Sequence, residues 1–206
     1  TRKESSAASD VYKRQIQQRG MGRPGSPWPQ ALARQLVHES HNEVSLINAL
    51  RVEPELGSPA RGGLPATVAR HTAEGWRISG HKVYSTGAPI LRWYVVWART
   101  DEEVPRVGSF LVRAGSPGIR IDATWDHLGL RASGSHDVIL QDVLTPHDHA
   151  LDVRLPQDWA RGEPAMLAEM TVMLGALYTG VARAARDWVV RFLRERTPAN
   201  LGAPLS

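Results

Sequence analysis

Cysteine is absent from the 206 residues, which excludes disulfide staples and thiolate metal sites. No stretch approaches the roughly 18 consecutive apolar residues that a membrane-spanning helix requires, and no leader of the charged-then-apolar kind opens the chain. A soluble protein without a membrane span, most simply a cytoplasmic one, is therefore expected. Phenylalanine occurs only twice and tyrosine four times, against seven tryptophans. Trp76, Trp93, Trp97 and Trp125 fall in the strand-rich middle of the chain, where they are expected to fill a β core. One-signed charge is also scarce: the net charge is +4, but Lys and Arg are interleaved with Asp and Glu. That describes a mixed solvated surface and not a basic stripe for nucleic acid. At 42% apolar residues the composition is that of a globular protein.

The most informative stretch is GWRISGHKVYSTGAPILRWYVVWART, residues 75–100. Residues 75–80 alternate apolar and polar between two glycines, as a half-buried strand does. Residues 82–86 continue in the same period, and Gly87, Ala88 and Pro89 close the strand with Thr86 at its rim. WYVVW, residues 93–97, is aromatic or β-branched at every position and reads as a strand buried on both faces.

Residues 1–15 show neither an apolar period nor a link to the rest of the chain and read as an assembly scar. Residues 19–29, rich in glycine and proline, read as loop. Gln30 to Asn42 carries Leu32, Leu36 and Val37 on one helical face. Residues 45–53 form an apolar run closed by Pro54, hence a buried strand followed by the turn EPELGSP. Further strands are expected at 64–73, 107–112, 118–121 and 138–143. At least six strands at short spacing are the signature of an antiparallel sandwich or barrel, so the fold class is α+β: an antiparallel β middle domain flanked by helices. Arg131, Ser133 and Ser135 lie on a glycine-containing turn, placed to bind phosphate or to brace the loop. His147, Asp148 and His149 offer ligand types without a second cluster at useful spacing, so no metal site is expected. Residues 163–196 form one long helix, apolar on nearly every side, which needs neighbours on nearly every side.

GxKxYSTGAP…WxxVWART resembles the middle-domain segment of the acyl-CoA dehydrogenase family. RVEPELGSP is similar to its Val-Thr-Glu-Pro-x-x-Gly-Ser-Asp motif, LGLRASGSHDVILQDVLTP to its Gly-x-Arg-x-Ser/Thr-x-Ser strand segment, and RERTPANLG to its Arg-x-Thr-Phe-Gly loop. The resemblance implies 16–44 as the end of an N-terminal helical domain, 45–152 as the middle β domain and 153–206 as the start of a C-terminal helical domain. It implies FAD as cofactor, held by the backbone of Leu50, Arg51 and Val52, by Ser58, Tyr84, Ser85 and Thr86, and by Arg196 toward a neighbouring subunit's FAD. Ser58 would also touch the substrate. Val52 and Pro59 stand where the family usually has threonine and aspartate. The implied reaction is α,β-dehydrogenation of an acyl thioester such as an acyl-CoA, with hydride transfer to flavin N5. It implies a glutamate base beyond Ser206, a place in fatty acid metabolism, a homo-oligomer (dimer or tetramer) and an acceptor such as an electron-transfer flavoprotein. The 206 residues alone are expected to self-associate and to bind FAD poorly. The form Lys-x-Tyr-Ser-Thr-Gly-Ala also resembles flavin-dependent monooxygenases of the same superfamily. A nucleic-acid-binding β domain is the remaining, weaker alternative.

Overall fold

The computed structural model describes residues 28–56, 63–159 and 164–204. The expected scar at 1–15, most of the loop at 19–29 and Ser58 lie outside the described residues. Helix α1 (Gln30–Asn42) opens the described chain. Strands β1 (Ile47–Leu50), β2 (Val68–Thr72), β3 (Gly75–Lys82), β4 (Trp93–Thr100), β5 (Val107–Arg113), β6 (Ile119–Asp122), β7 (Asp137–Thr145) and β8 (Ala150–Arg154) come next, then the short helix α2 (Pro156–Trp159) and the long helix α3 (Pro164–Glu195).

The strands make one sheet in the order β6-β7-β3-β2-β4-β5-β8, with β1 added beside β4. Five pairings are antiparallel, as expected, but the sheet is mixed: β1 and β2 both run parallel to β4. A parallel neighbour needs a crossover and not a hairpin, and strand periodicity cannot reveal that.

Residues 93–96 of β4 face two cores in alternation. Tyr94 and Val96 join Phe110, Val112, Ile78, Val138, Leu140 and Val143 in the larger one. Trp93, with Leu111 and Leu151, meets Leu32 and Leu36 of α1 in the smaller. The both-faces-buried reading of WYVVW therefore holds, and burying each such side chain contributes about 1.5–3 kcal/mol. The sheet also curls back on itself, because the Thr145 hydroxyl of β7 donates to the Leu111 carbonyl of β5 at 2.8 Å, although the two strands are not ladder neighbours. Trp76, Trp93 and Trp97 are buried as expected. Trp125 is not: it lies outside both cores.

Three strands are shorter than their periodicity suggested, the expected 64–73 among them, which is strand only from Val68 to Thr72. The 45–53 run is strand only from Ile47 to Leu50, and the alternation through Thr86 stops at Lys82. Beyond Lys82 the chain turns off the sheet, with Tyr84 in the left-handed region at φ 54°. Strand β8, after the His147–His149 turn, was not expected, although Leu151 to Arg154 alternate apolar and polar. The chain divides into two compact units, the first ending at Asp158 and the second running from Trp159. In the second, α3 exposes Val172, Met173, Leu174, Leu177, Tyr178, Val181 and Trp188, in line with its all-round apolar sequence.

Candidate functional site

Three chain segments are tied together at the end of β3. The first is the turn at 52–54, the second the turn at 83–87, the third the loop at 124–136. Val83 N–H donates to the Val52 carbonyl at 3.0 Å, Ser85 N–H to the His136 carbonyl at 3.1 Å, and Gly87 N–H to the Ser133 carbonyl at 2.8 Å. Asn48 Nδ2 donates to the Thr86 carbonyl at 2.9 Å. These bonds replace the sheet ladder that residues 83–86 have left, and the Val83, Ser85 and Thr86 N–H groups find partners off the sheet. The left-handed turn at Tyr84 is the conformation that allows it.

Behind the turns lies a buried ion pair. Lys82 Nζ donates to Glu53 Oε1 and to the Trp97 carbonyl, both at 2.6 Å, with side-chain exposures of 0% and 2% for Lys82 and Glu53. Glu53 also accepts from Ala66 N–H at 2.6 Å, Thr67 N–H at 3.1 Å and the Thr67 hydroxyl at 2.6 Å. Burial pushes the Lys82 ammonium down to about 8 against the pull of Glu53. Burial works against the Glu53 charge too, but the hydrogen bonds from Lys82 and Thr67 hold its carboxyl below the ordinary value. Gly80 makes this approach possible, since a Cβ there would collide with the Thr67 side chain.

In front of the pair opens a cleft of about 480 Å³ lined by residues of all three segments, within the size range of small-molecule sites. One wall is aromatic: Trp125 and His127 lie 3.9 Å apart at 31°, and the exposed Tyr84 ring stands edge-on to Trp125 at 6.3 Å. Trp125 is held by its indole N–H on the Leu130 carbonyl at 3.2 Å and its backbone N–H on His136 Nδ1 at 3.1 Å. Asp137, also lining the cleft, is engaged by His81 Nε2 at 2.7 Å and the Thr124 hydroxyl at 2.8 Å. At the rim, the Thr86 and Ser135 hydroxyls are 2.9 Å apart and those of Ser135 and Ser133 2.7 Å. Ser133 and Ser135 thus brace the loop, the second of the two roles their turn allowed.

Of the residues expected to hold a cofactor, Val52 and Tyr84 line this cleft, and Thr86 stands beside it through Ser135. Leu50 is buried in the larger core. Arg51 places its guanidinium 5.0 Å over the Trp97 ring. Ser85 is buried, and its hydroxyl has no hydrogen-bond partner among the described residues. Arg196, in the second unit, lies 5.3 Å over the Phe192 ring. No group of three or more potential metal ligands occurs among the described residues. Sequence reasoning missed Glu53, Lys82, Thr67, Asn48 and the Trp125–His127 pair. The available signal was that Lys82 falls in the strand period of Trp76 and Ile78, on the face turned to the core.

A middle-domain model of the acyl-CoA dehydrogenase family matches residues 51–143. The acyl-CoA dehydrogenase homologue YdbM of Bacillus subtilis (strain 168) is 32% identical over 88% of this chain and 46% of its own length. L-evernosamine nitrososynthase of a Micromonospora species is 33% identical over 84% of this chain and 40% of its own. KijD3, solved in complex with FMN and dTDP-3-amino-2,3,6-trideoxy-4-keto-3-methyl-D-glucose, matches with a TM-score of 0.62 and 31% identity over 82% of this chain and 40% of that one. The chain spans less than half the length of each.

Proposed function

The chain belongs to the acyl-CoA dehydrogenase family, and on that footing we propose that its cleft receives the ring system of a flavin, FAD, for the α,β-dehydrogenation of an acyl thioester. The observation that carries this reading is the joining of the two motif turns at one cleft by the Val83–Val52 bond and the Glu53–Lys82 pair. The lining suits a flat, partly polar ring. It offers the aromatic faces of Tyr84, Trp125 and His127 together with main chain and the Ser135 hydroxyl, in a cleft of about 480 Å³.

A bound flavin supplies the acceptor for the two electrons taken from the substrate. The chain's residues bind and orient. Tyr84 offers its ring to the flavin edge, the main chain of 50–52 approaches the pyrimidine with no hydroxyl from Val52, and Thr86 presents its hydroxyl at the rim. Ser58 touches flavin or the thioester, and Arg196 serves the cofactor of a neighbouring subunit. The cleft's own carboxylates are committed: Glu53 accepts from four donors and Asp137 from two. The base that the family resemblance implies is a glutamate following Ser206. In the same reading residues 16–44, 45–152 and 153–206 belong to three domains of a cytoplasmic dimer or tetramer that acts on acyl-CoA in fatty acid metabolism and passes electrons to an acceptor such as an electron-transfer flavoprotein.

A second reading, flavin-dependent oxygenation, is favoured by the similarity to the nitrososynthase and to the FMN-bound KijD3. The experiment titrates FAD and FMN into the chain by calorimetry, then mixes the flavin-loaded protein, extended to the length of its relatives, anaerobically with acyl-CoAs of graded chain length. Loss of the oxidised-flavin colour supports dehydrogenation. Colour that persists with acyl-CoA, but is lost to a nicotinamide donor and restored by oxygen, supports oxygenation. Absence of flavin binding by both forms would refute the flavin reading.

A further inference from the structure

Ser133, Ser135 and Thr86 form a chain of three hydroxyls with two links, 2.7 Å and 2.9 Å. Each hydroxyl carries one donor proton and two acceptor lone pairs. Three protons shared over two links leave one over, and it can emerge at Thr86, at Ser135 or at Ser133. Ser135 is 5% exposed, so a proton left over there is costly unless a ligand accepts it. The two ends are cheaper, because Thr86 is exposed and Ser133 only half-buried. The chain therefore has two favoured polarities. In one, Ser133 donates to Ser135, Ser135 to Thr86, and Thr86 outward. In the other every bond reverses, Thr86 becomes an acceptor for an outside N–H, and Ser133 donates to solvent.

We propose, resting on the flavin reading above and on the threonine–N5 contact that the family resemblance implies for Thr86, that Ser133 and Ser135 are positioning residues that let the Thr86 hydroxyl donate to the unprotonated N5 of oxidised flavin and accept from the N5–H of reduced flavin, with only hydrogens changing place. Bonds in such a chain polarise one another, so each polarity strengthens the contact it presents. Removing Ser133 breaks this symmetry. With that acceptor gone, the buried Ser135 proton has only Thr86 to donate to, and Thr86 is fixed as an outward donor.

The test titrates FAD into the protein extended to the length of its relatives, by anaerobic calorimetry, once oxidised and once reduced with dithionite, with flavin up to millimolar. Ser133→Ala should leave the affinity for oxidised FAD within about twofold and weaken that for reduced FAD by about three- to tenfold, the scale of one neutral hydrogen bond. A tenfold effect lowers the two-electron potential of the bound flavin by about 30 mV. Ser133→Thr should restore the wild-type ratio, and Ser135→Ala should weaken both states. A merely structural Ser133 would affect both states alike. Equal weakening, or no change in either, overturns the proposal and leaves the flavin reading standing. Absence of binding to wild type in both redox states overturns both.

Discussion

Replacing Lys82 with methionine is the sharpest perturbation the structure offers. The change keeps the length and apolar stem of the side chain but removes two charge-assisted bonds, to Glu53 and to the Trp97 carbonyl, both at 2.6 Å. Bonds to charged groups are worth about 1.5–3 kcal/mol each, which places the loss near the roughly 3–5 kcal/mol typical of a broken buried pair. Against a usual domain stability of about 5–15 kcal/mol that is a large fraction, yet one a folded variant survives. Adding Glu53→Gln removes the uncompensated carboxylate but leaves the amide group facing a backbone donor, Ala66 or Thr67 N–H. The double variant should therefore recover part of the loss, with a coupling of at least about 2 kcal/mol. The assay is equilibrium unfolding in guanidinium followed by tryptophan fluorescence, since Trp76, Trp93 and Trp97 are buried in the same unit. A Lys82→Met variant within about 1 kcal/mol of wild type, or single effects that simply add, would refute the claim that this pair holds the two turns together.

Stability should also change with pH through the same group. Lys82 loses its proton at about 8 in the folded chain, against 10.5 for an ordinary lysine, so between these values the unfolded chain binds more protons. Its contribution then rises with pH by up to about 3 kcal/mol, and Lys82→Met should abolish that rise. Tyr94, whose phenol burial pushes up, opposes it above pH 10, so urea midpoints of both proteins are compared from pH 7 to 10. At Tyr84, asparagine tolerates the left-handed backbone better than tyrosine. Tyr84→Asn should match or exceed wild-type stability by up to about 1 kcal/mol while weakening flavin binding several-fold; a variant that unfolds more readily and binds flavin unchanged would show that the ring serves the fold alone. On α3, Leu177 and Val181 are 60% and 61% exposed among other exposed apolar residues, and contiguous exposed apolar patches often mark association sites. Replacing both with lysine should shift sedimentation velocity toward the monomer, and an unchanged distribution would place self-association elsewhere.

What could be read from the chain divides along physical lines. WYVVW announced a strand buried on both faces because every one of its residues suits that environment, and no partner had to be known. Strands β2 and β3 were legible for the same reason, since their patterns are local, but their antiparallel pairing was not read from the sequence. The parallel pairing of β1 with β4, Ile47 opposite Trp93, joins positions far apart in sequence, and residue alternation is blind to strand direction. Residues 83–86 mislead more instructively. KVYST keeps the strand period, but Lys82 is drawn inward to Glu53 and Trp97, Val83 bonds to Val52 and Ser85 to His136. Tertiary bonds override local propensity there, and the left-handed Tyr84 is the result. The same override builds the site. Glu53 and Lys82 are ordinary letters in two separate motifs, and each would be costly to bury alone. Only their meeting, which needs Gly80 to admit Thr67, makes both burials tolerable. A charged residue that falls in the strand period of buried neighbours, as Lys82 does with Trp76 and Ile78, is therefore best read as half of a pair whose other half must be sought. Here it was in the other motif that faces the cleft.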